Sequence, residues 1–252
     1  KEMAIYQTKG LVIKVKDVGE ADRLLSILTE TQGKVVVRAK GVRWFYSKNH
    51  GHLDLLSYLR LTLVEGRQMD QVTSVETIDS FKPIKDNLQK TAFAYYLLEL
   101  CDKLLPEKEE NKKVLALLLA VLEVLKKEKP KKSLLLFFQL KLFSLLGFQP
   151  QLSFCVNCQR RFSPKEIWFF SPTMGGLLCH LCRKNDPQAE PLSLKEWQTL
   201  QFLLSKRLKE VLSFPWDEKT GQRLEELLKV FLRSLSAREF RAPRFIQKVE
   251  EC

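Results

Sequence analysis

The sequence predicts an α+β multidomain protein: an N-terminal β-barrel, a central and C-terminal α-helical domain, and an inserted four-cysteine module. Three observations predict it. Residues 1–80 hold short β-branched runs separated by turn residues. From Asp86 onward the apolar residues recur at helical spacing. Two C-x2-C pairs then interrupt the helical part, in a segment with four Pro and a Gly-Gly pair. The expected divisions are 1–80 for the barrel, 81–150 for the first helical part, 151–191 for the cysteine module and 192–252 for the second helical part.

The strands come first. Leu11–Val15 and Lys34–Arg38 are β-branched runs, Leu24–Leu28 is apolar, and Leu59–Val64 alternates apolar with polar as a half-buried strand does. Asp17-Val-Gly19, Thr31-Gln-Gly33, Gly41 and Glu65-Gly66 supply the turns. About five strands in this length make a small barrel, with an OB-fold as the leading candidate. An SH3-like barrel or a small open sheet remains the alternative.

Helices follow. Ala92, Tyr95, Tyr96, Leu98 and Leu100 open an apolar series that reaches Leu105, and Lys112–Lys127 is apolar around much of its circumference. The charged stretch Lys126–Lys132 reads either as a solvated turn or as a loop that touches phosphate. Ser133–Leu146 is the next helix, with Gly147 as its C-cap. Ser193 and Glu196 have the spacing of a capping box, which opens a helix expected to run to about Leu212 and break at Pro215. A last helix is expected over about 219–238.

The chain carries a formal charge of +12. Residues 1–80 hold 12 basic and 10 acidic groups, 81–150 hold 13 and 8, and 151–252 hold 17 and 12. No segment is a polybasic tail, so the surplus belongs to folded surface and favours polyanionic partners. The longest apolar run, Val114–Leu122, is about half a membrane span. No P-loop, dinucleotide fingerprint, HExxH or GxSxG stretch occurs. The opening residues lack signal-peptide architecture. The expectation is a cytoplasmic protein that is not an enzyme. Asp17, Glu20, Asp22 and Glu30 are the carboxylates that could gather a magnesium ion if that expectation failed.

Cys155-Val-Asn-Cys158 and Cys179-His-Leu-Cys182 are the strongest motif. Two such knuckles converge four thiolates on one tetrahedral ion, and a soft four-sulfur set selects zinc over magnesium or calcium. Segment 151–191 is therefore read as a zinc-binding module. A closed four-thiolate shell leaves no position for water, so the expected Zn2+ is structural. Disulfides or free thiols, and a redox or iron–sulfur role, are the competing readings, and His180 is expected to be an exposed ring.

Several stretches together resemble one family. Tyr6-Gln-Thr-Lys-Gly-Leu-Val-Ile13, Gly19-Glu-Ala-Asp-Arg-Leu24, Gly33-Lys34 and Ala39-Lys-Gly-Val-Arg43 are similar to the N-terminal domain of bacterial RecO. Ala94-Tyr-Tyr-Leu-Leu-Glu-Leu100 resembles its helical part. Gly147-Phe-Gln-Pro-Gln-Leu152, Phe162-Ser-Pro164, Gly175-Gly176 and the cysteine pairs resemble its zinc segment. Arg244-Phe245 falls at its basic-aromatic ending. The resemblance implies a recombination mediator with an N-terminal OB-fold. It implies binding to single- and double-stranded DNA, annealing of complementary strands, and action with RecR to replace single-strand-binding protein by RecA during DNA repair. A nucleoid-associated location follows. The C-terminal tail of single-strand-binding protein, acidic with an apolar end, would find cations and apolar surface along Lys126–Lys132 and Ser133–Phe148. The reading set against this one is a zinc-ribbon scaffold of transcription or translation without annealing activity.

Candidate DNA contacts follow from residue chemistry. Unpaired bases stack on aromatic rings while cations track phosphates. Lys40, Arg43 and Lys48 flank Trp44, Phe45 and Tyr46, with Trp44 or Tyr46 as the platform. The competing reading closes the barrel core with one or two of these rings. Where the RecO family usually continues with a basic, Ser-rich loop, this chain has Trp44–His52. Arg160 and Arg161 follow the first knuckle, which would hold them rigidly. Arg238, Arg241 and Arg244 interleave with Phe240 and Phe245, either as phosphate contacts or as a solvated helix end.

Overall fold

The computed structural model describes residues 4–44 and 51–235. Contacts divide the chain into two units, one reaching Pro130 and the other beginning at Lys131.

In the first unit β1 (Ile5–Val18), β2 (Asp22–Thr29), β3 (Gly33–Ala39), β4 (Tyr58–Val64) and β5 (Asp70–Asp79) form a closed barrel in the order β1-β2-β3-β5-β4. This is the five-stranded barrel of an OB-fold. The long β1 closes it by pairing twice, its first half with β4 (Ile5 opposite Val64) and its second with β2 (Val18 opposite Asp22). Alternation decides which side chains face inward: Leu59, Leu61 and Leu63 are buried, while Arg60 between them is exposed. They meet Val12, Leu25, Ile27, Val35 and Val37 in the barrel core.

Phe81 takes a left-handed conformation and turns the chain from β5 into a short helix, α1 (Lys82–Lys85). Asn87 caps the next helix, α2 (Leu88–Leu104), by accepting the Lys90 N–H at 3.0 Å. Helix α2 lies against β1 and α3 (Lys112–Lys127) against β2. Residues Leu25–Thr29 of β2 are consequently buried on both sides. The connection between α2 and α3 seals one end of β3. The Lys108 N–H donates to the Lys34 carbonyl at 2.9 Å, and a Cβ on Gly33, whose φ is +65°, would collide with the Glu109 carbonyl.

The second unit opens with α4 (Lys132–Leu145), buried along most of its length against α5 (Leu194–Ser205), α6 (Leu208–Ser213) and α7 (Glu218–Leu235). Gly147, at φ +81°, ends α4, and the Phe148 N–H returns to the Phe143 carbonyl at 2.8 Å. The capping box of Ser193 and Glu196 is present. The helix it opens is shorter than expected, because the chain becomes extended at Lys206 and Arg207 rather than at Pro215. Lys141 takes the Leu204 carbonyl at the end of α5, and Glu210 accepts the Arg207 N–H at 3.0 Å to start α6.

The cysteine segment carries a small sheet in the order β7-β6-β8, with β6 at Trp168–Ser171, β7 at Gly176–Cys179 and β8 at Glu190–Leu192. It is fastened to the helices of its own unit. Phe162 stacks on Trp197 with centroids 4.0 Å apart, and Phe231 of α7 meets both Phe143 of α4 and Phe170 of β6 edge-on. No helix among the described residues is long and apolar enough to cross a membrane.

Candidate metal centre and nucleic-acid surface

The two knuckles converge as their spacing predicts. The Sγ atoms of Cys155, Cys158, Cys179 and Cys182 lie within 4.8 Å of one another. The first knuckle is shaped by N–H bonds from Gln159 to the Cys155 carbonyl (2.9 Å) and from Cys155 to the Arg160 carbonyl (2.8 Å). In the second, the Cys182 N–H donates to the Cys179 carbonyl at 3.0 Å. The Val156 N–H bonds the Leu177 carbonyl at 2.8 Å, which ties the first knuckle to β7. Cys155, Cys179 and Cys182 are buried and Cys158 is exposed.

The electrostatics fit a cation. Burial works against a thiolate at Cys155, but N–H groups of Cys158, Cys179 and Asn157 aimed at its sulfur outweigh that and bring the thiol down to about 7. The Asn157 side chain likewise donates to Cys182 Sγ at 3.2 Å. Burial and the hydrogen-bonding thiols of Cys158, Cys179 and Cys155 nevertheless hold that group up at about 12. Four sulfurs this close share protons unless a positive ion replaces them, so the donor set fits a soft divalent metal ion. Among the described residues these cysteines are the single cluster with metal-ligand geometry. The acidic residues near the start do not gather. Asp17 pairs with Arg23 and Arg43, Asp22 with Arg38, and Glu30 accepts the Tyr58 hydroxyl. Asn157 is a second feature of the centre that spacing alone did not single out. Its one sequence signal is its place inside the knuckle.

At one end of the barrel the turn after β3 is fastened to the turn between β1 and β2. The Asp22 carboxylate accepts the Gly41 N–H at 2.8 Å and pairs with Arg38 at 2.7 Å. The Gly41 bond, followed by Arg38, lowers its pKa. The Arg43 N–H reaches the Ala21 carbonyl at 3.0 Å, and its guanidinium reaches the Gly19 carbonyl at 3.2 Å and Asp17 at 3.6 Å. Arg43 is therefore a latch as well as a cation. Lys40 is exposed, and Trp44 stands 48% exposed with its N–H bonded to the Gly41 carbonyl. Tyr46 and Lys48 lie outside the described residues, as do Arg238, Arg241 and Arg244. Arg67, in the turn between β4 and β5, is exposed at the same end, since the first residues of β5 pair with Val37 and Arg38 of β3. The sequence marked that turn only by Glu65-Gly66.

Elsewhere, Arg161 is exposed beside the first knuckle, while Arg160 pairs with Glu166 at 2.8 Å. The Lys126–Lys132 stretch is not one loop. Lys126 and Lys127 finish α3, where Lys126 bonds Asp79 at 2.7 Å, and Lys132 begins α4, where it pairs with Glu218. Arg23 bridges Asp17 and Asp54. His180 is exposed.

An OB barrel joined to helices that carry a four-cysteine module able to hold a metal ion defines the class of protein. Comparison with known sequences gives the family. The profile "Recombination protein O N terminal" matches residues 3–81, and "Recombination protein O C terminal" matches residues 85–244. The chain is 34% identical over 247 residues to the DNA repair protein RecO of Roseiflexus sp. (strain RS-1), covering 98% of this chain and 87% of that one. It is 30% identical over 246 residues to the DNA repair protein RecO of Symbiobacterium thermophilum, covering 97% of each. The same-named protein of Dehalococcoides mccartyi strain BAV1 shares 32% identity over 237 residues, 94% of this chain and 93% of that one. The chain belongs to the RecO family.

Proposed function

We propose that this protein is a non-catalytic DNA-repair mediator that binds single- and double-stranded DNA and anneals complementary strands. With RecR it helps replace single-strand-binding protein by RecA, and it works at the bacterial nucleoid. The observation that carries the reading is the pinned turn at the barrel end, where Lys40 and Trp44 project from a backbone held by Asp22 and Ala21, with the Arg43 side chain anchored on the Gly19 carbonyl. Such a turn offers a stacking face and a cation without first having to be ordered, which saves entropy on binding. Lys40, Arg43, Trp44 and Arg67 are the proposed contacts on the barrel, and Arg160 and Arg161 those beside the metal centre. Tyr46, Lys48, Arg238, Arg241 and Arg244 complete the set by sequence. In binding DNA, Arg43 and Arg160 exchange a carboxylate partner for phosphate.

Zinc is the proposed metal, and its work is to fold residues 151–191. Cys155, Cys158, Cys179 and Cys182 hold it, and bound there it supplies the charge that lets all four sulfurs stay deprotonated. The acidic tail of single-strand-binding protein is the proposed peptide partner of the helical part.

The test is annealing of complementary oligonucleotides coated with single-strand-binding protein, followed by fluorescence. The protein is expected to accelerate pairing well beyond the spontaneous rate. No acceleration, with zinc bound and the protein folded, overturns the reading. Polarisation of a labelled tail peptide that stays flat at high micromolar protein removes the peptide partner alone.

A further inference from the structure

The four ligands of the metal centre are unequal. Cys155 and Cys179 are fully buried and Cys182 is 7% exposed, while Cys158 is exposed at the end of the first knuckle. Its sulfur also stands 3.7 Å from that of Cys179. A thiolate reacts with an oxidant according to its access and its charge, and a metal-bound cysteine keeps thiolate character. The arrangement therefore has one exposed ligand residue, and its sulfur lies within reach of a second sulfur that belongs to a buried residue. The other free thiol described, Cys101, is buried, and burial pushes its pKa well above the ordinary thiol value, so it stays inert.

We propose that Cys158 is an oxidative modification site through which hydroperoxides expel the metal. The proposal rests on the zinc reading above. The Cys158 thiolate attacks a hydroperoxide oxygen, the O–O bond breaks, and hydroxide (or alkoxide) leaves, giving a sulfenic acid. The Cys179 thiolate then attacks that sulfur, an S–S bond forms, and a second hydroxide leaves. One peroxide is reduced by two electrons and two thiolates become one disulfide. The ion loses two of its four ligands and departs, and a dithiol reductant reverses the chemistry. The consequence reaches the surface. The first knuckle also carries Arg160, whose carbonyl accepts the Cys155 N–H, and Arg161 beside it, so loss of the ion loosens the backbone that positions both cations.

The experiment uses the full chain loaded with zinc and treated with hydrogen peroxide. A chromogenic chelator follows metal release, and peptide mass mapping follows all six cysteines. Zinc is expected to leave in step with loss of the Cys158 thiol, with a Cys158–Cys179 disulfide as the product. Cys158→His keeps a zinc ligand at that position and removes the sulfur of the exposed residue, so release should slow by about tenfold or more. Wild-type protein that binds no zinc refutes the metal reading itself. Zinc that is bound but leaves only after Cys155 or Cys182 is modified, or that stays through peroxide treatment, overturns the oxidation site. If Cys158→His does not retain metal, the order of modification in the wild-type protein decides alone.

Discussion

The barrel and the cysteine module reach order by different routes. The barrel is a closed circuit in which every strand has two neighbours, wrapped around eleven buried residues from Val12 to Leu63. Its backbone groups are satisfied by strand pairing, and its cohesion is apolar burial, which needs no other component. The module's sheet has strands of only four, four and three residues. It fastens through Trp168, Phe170 and Phe162, but its two knuckles meet at four sulfurs that repel one another when ionised. The barrel is stable because of what it excludes, and on the zinc reading proposed above the module is stable because of what it binds.

The sharpest way to break that comparison is to deny the four cysteines the zinc proposed for them. Chelation, or Cys155→Ser, is expected to abolish amide-exchange protection across 151–191 while leaving β2, β3 and β4 protected. Structural zinc supplies on the order of 10 kcal/mol of local folding free energy, so the loss should be complete. Equal loss in the barrel would show that the two units fold as one. The reciprocal change is Leu61→Ala, which empties a fully buried site. It should cost the barrel about 2–5 kcal/mol in denaturant titration and leave zinc content at one equivalent.

Smaller effects separate charge from stacking at the barrel end. Trp44→Ala should weaken single-strand binding by about 1–3 kcal/mol with little change in salt dependence. Lys40→Ala should lower the slope of log affinity against log salt by about 0.7, measured by titration between low and moderate salt. The smallest effect concerns Asp22. The Gly41 N–H and Arg38 hold its pKa below 3.8, so the folded form prefers the carboxylate. The resulting stability is complete above that ordinary value and is lost as pH falls through the lowered one. Asp22→Asn should therefore lower the denaturation midpoint slightly at pH 7 and make no difference in strong acid.

Legibility in the sequence followed the strength of local pattern. Leu59–Val64 alternates cleanly and β4 occupies the same span. Strand β5 gave no such signal. Its inward residues are few, Val72 and Val75 are only partly buried, and its pairing with β4 slips twice. The convergence of the four cysteines was readable because a tetrahedral four-sulfur site demands that spacing. The break at Lys206 was not, since the contact found there comes from another helix, where Lys141 donates to the Leu204 carbonyl. Arg67 became visible as a neighbour of the Lys40 turn only when β5 was seen beside β3. That parallel contact joins segments about thirty residues apart, a separation that local pattern does not encode.

The double pairing of β1 also has a history. Its second half finds β2 a few residues later, but its first half, Ile5–Leu11, must wait for Tyr58–Val64. On the ribosome the barrel is therefore an open hairpin ladder with a bare leading edge until β4 emerges. At roughly 5–20 residues per second, that interval lasts several seconds. During it the edge is available to any passing strand, and closure ends the exposure for good. A change that slows elongation or destabilises β4 would be felt first as aggregation of the newborn chain, well before the finished protein showed a loss of stability.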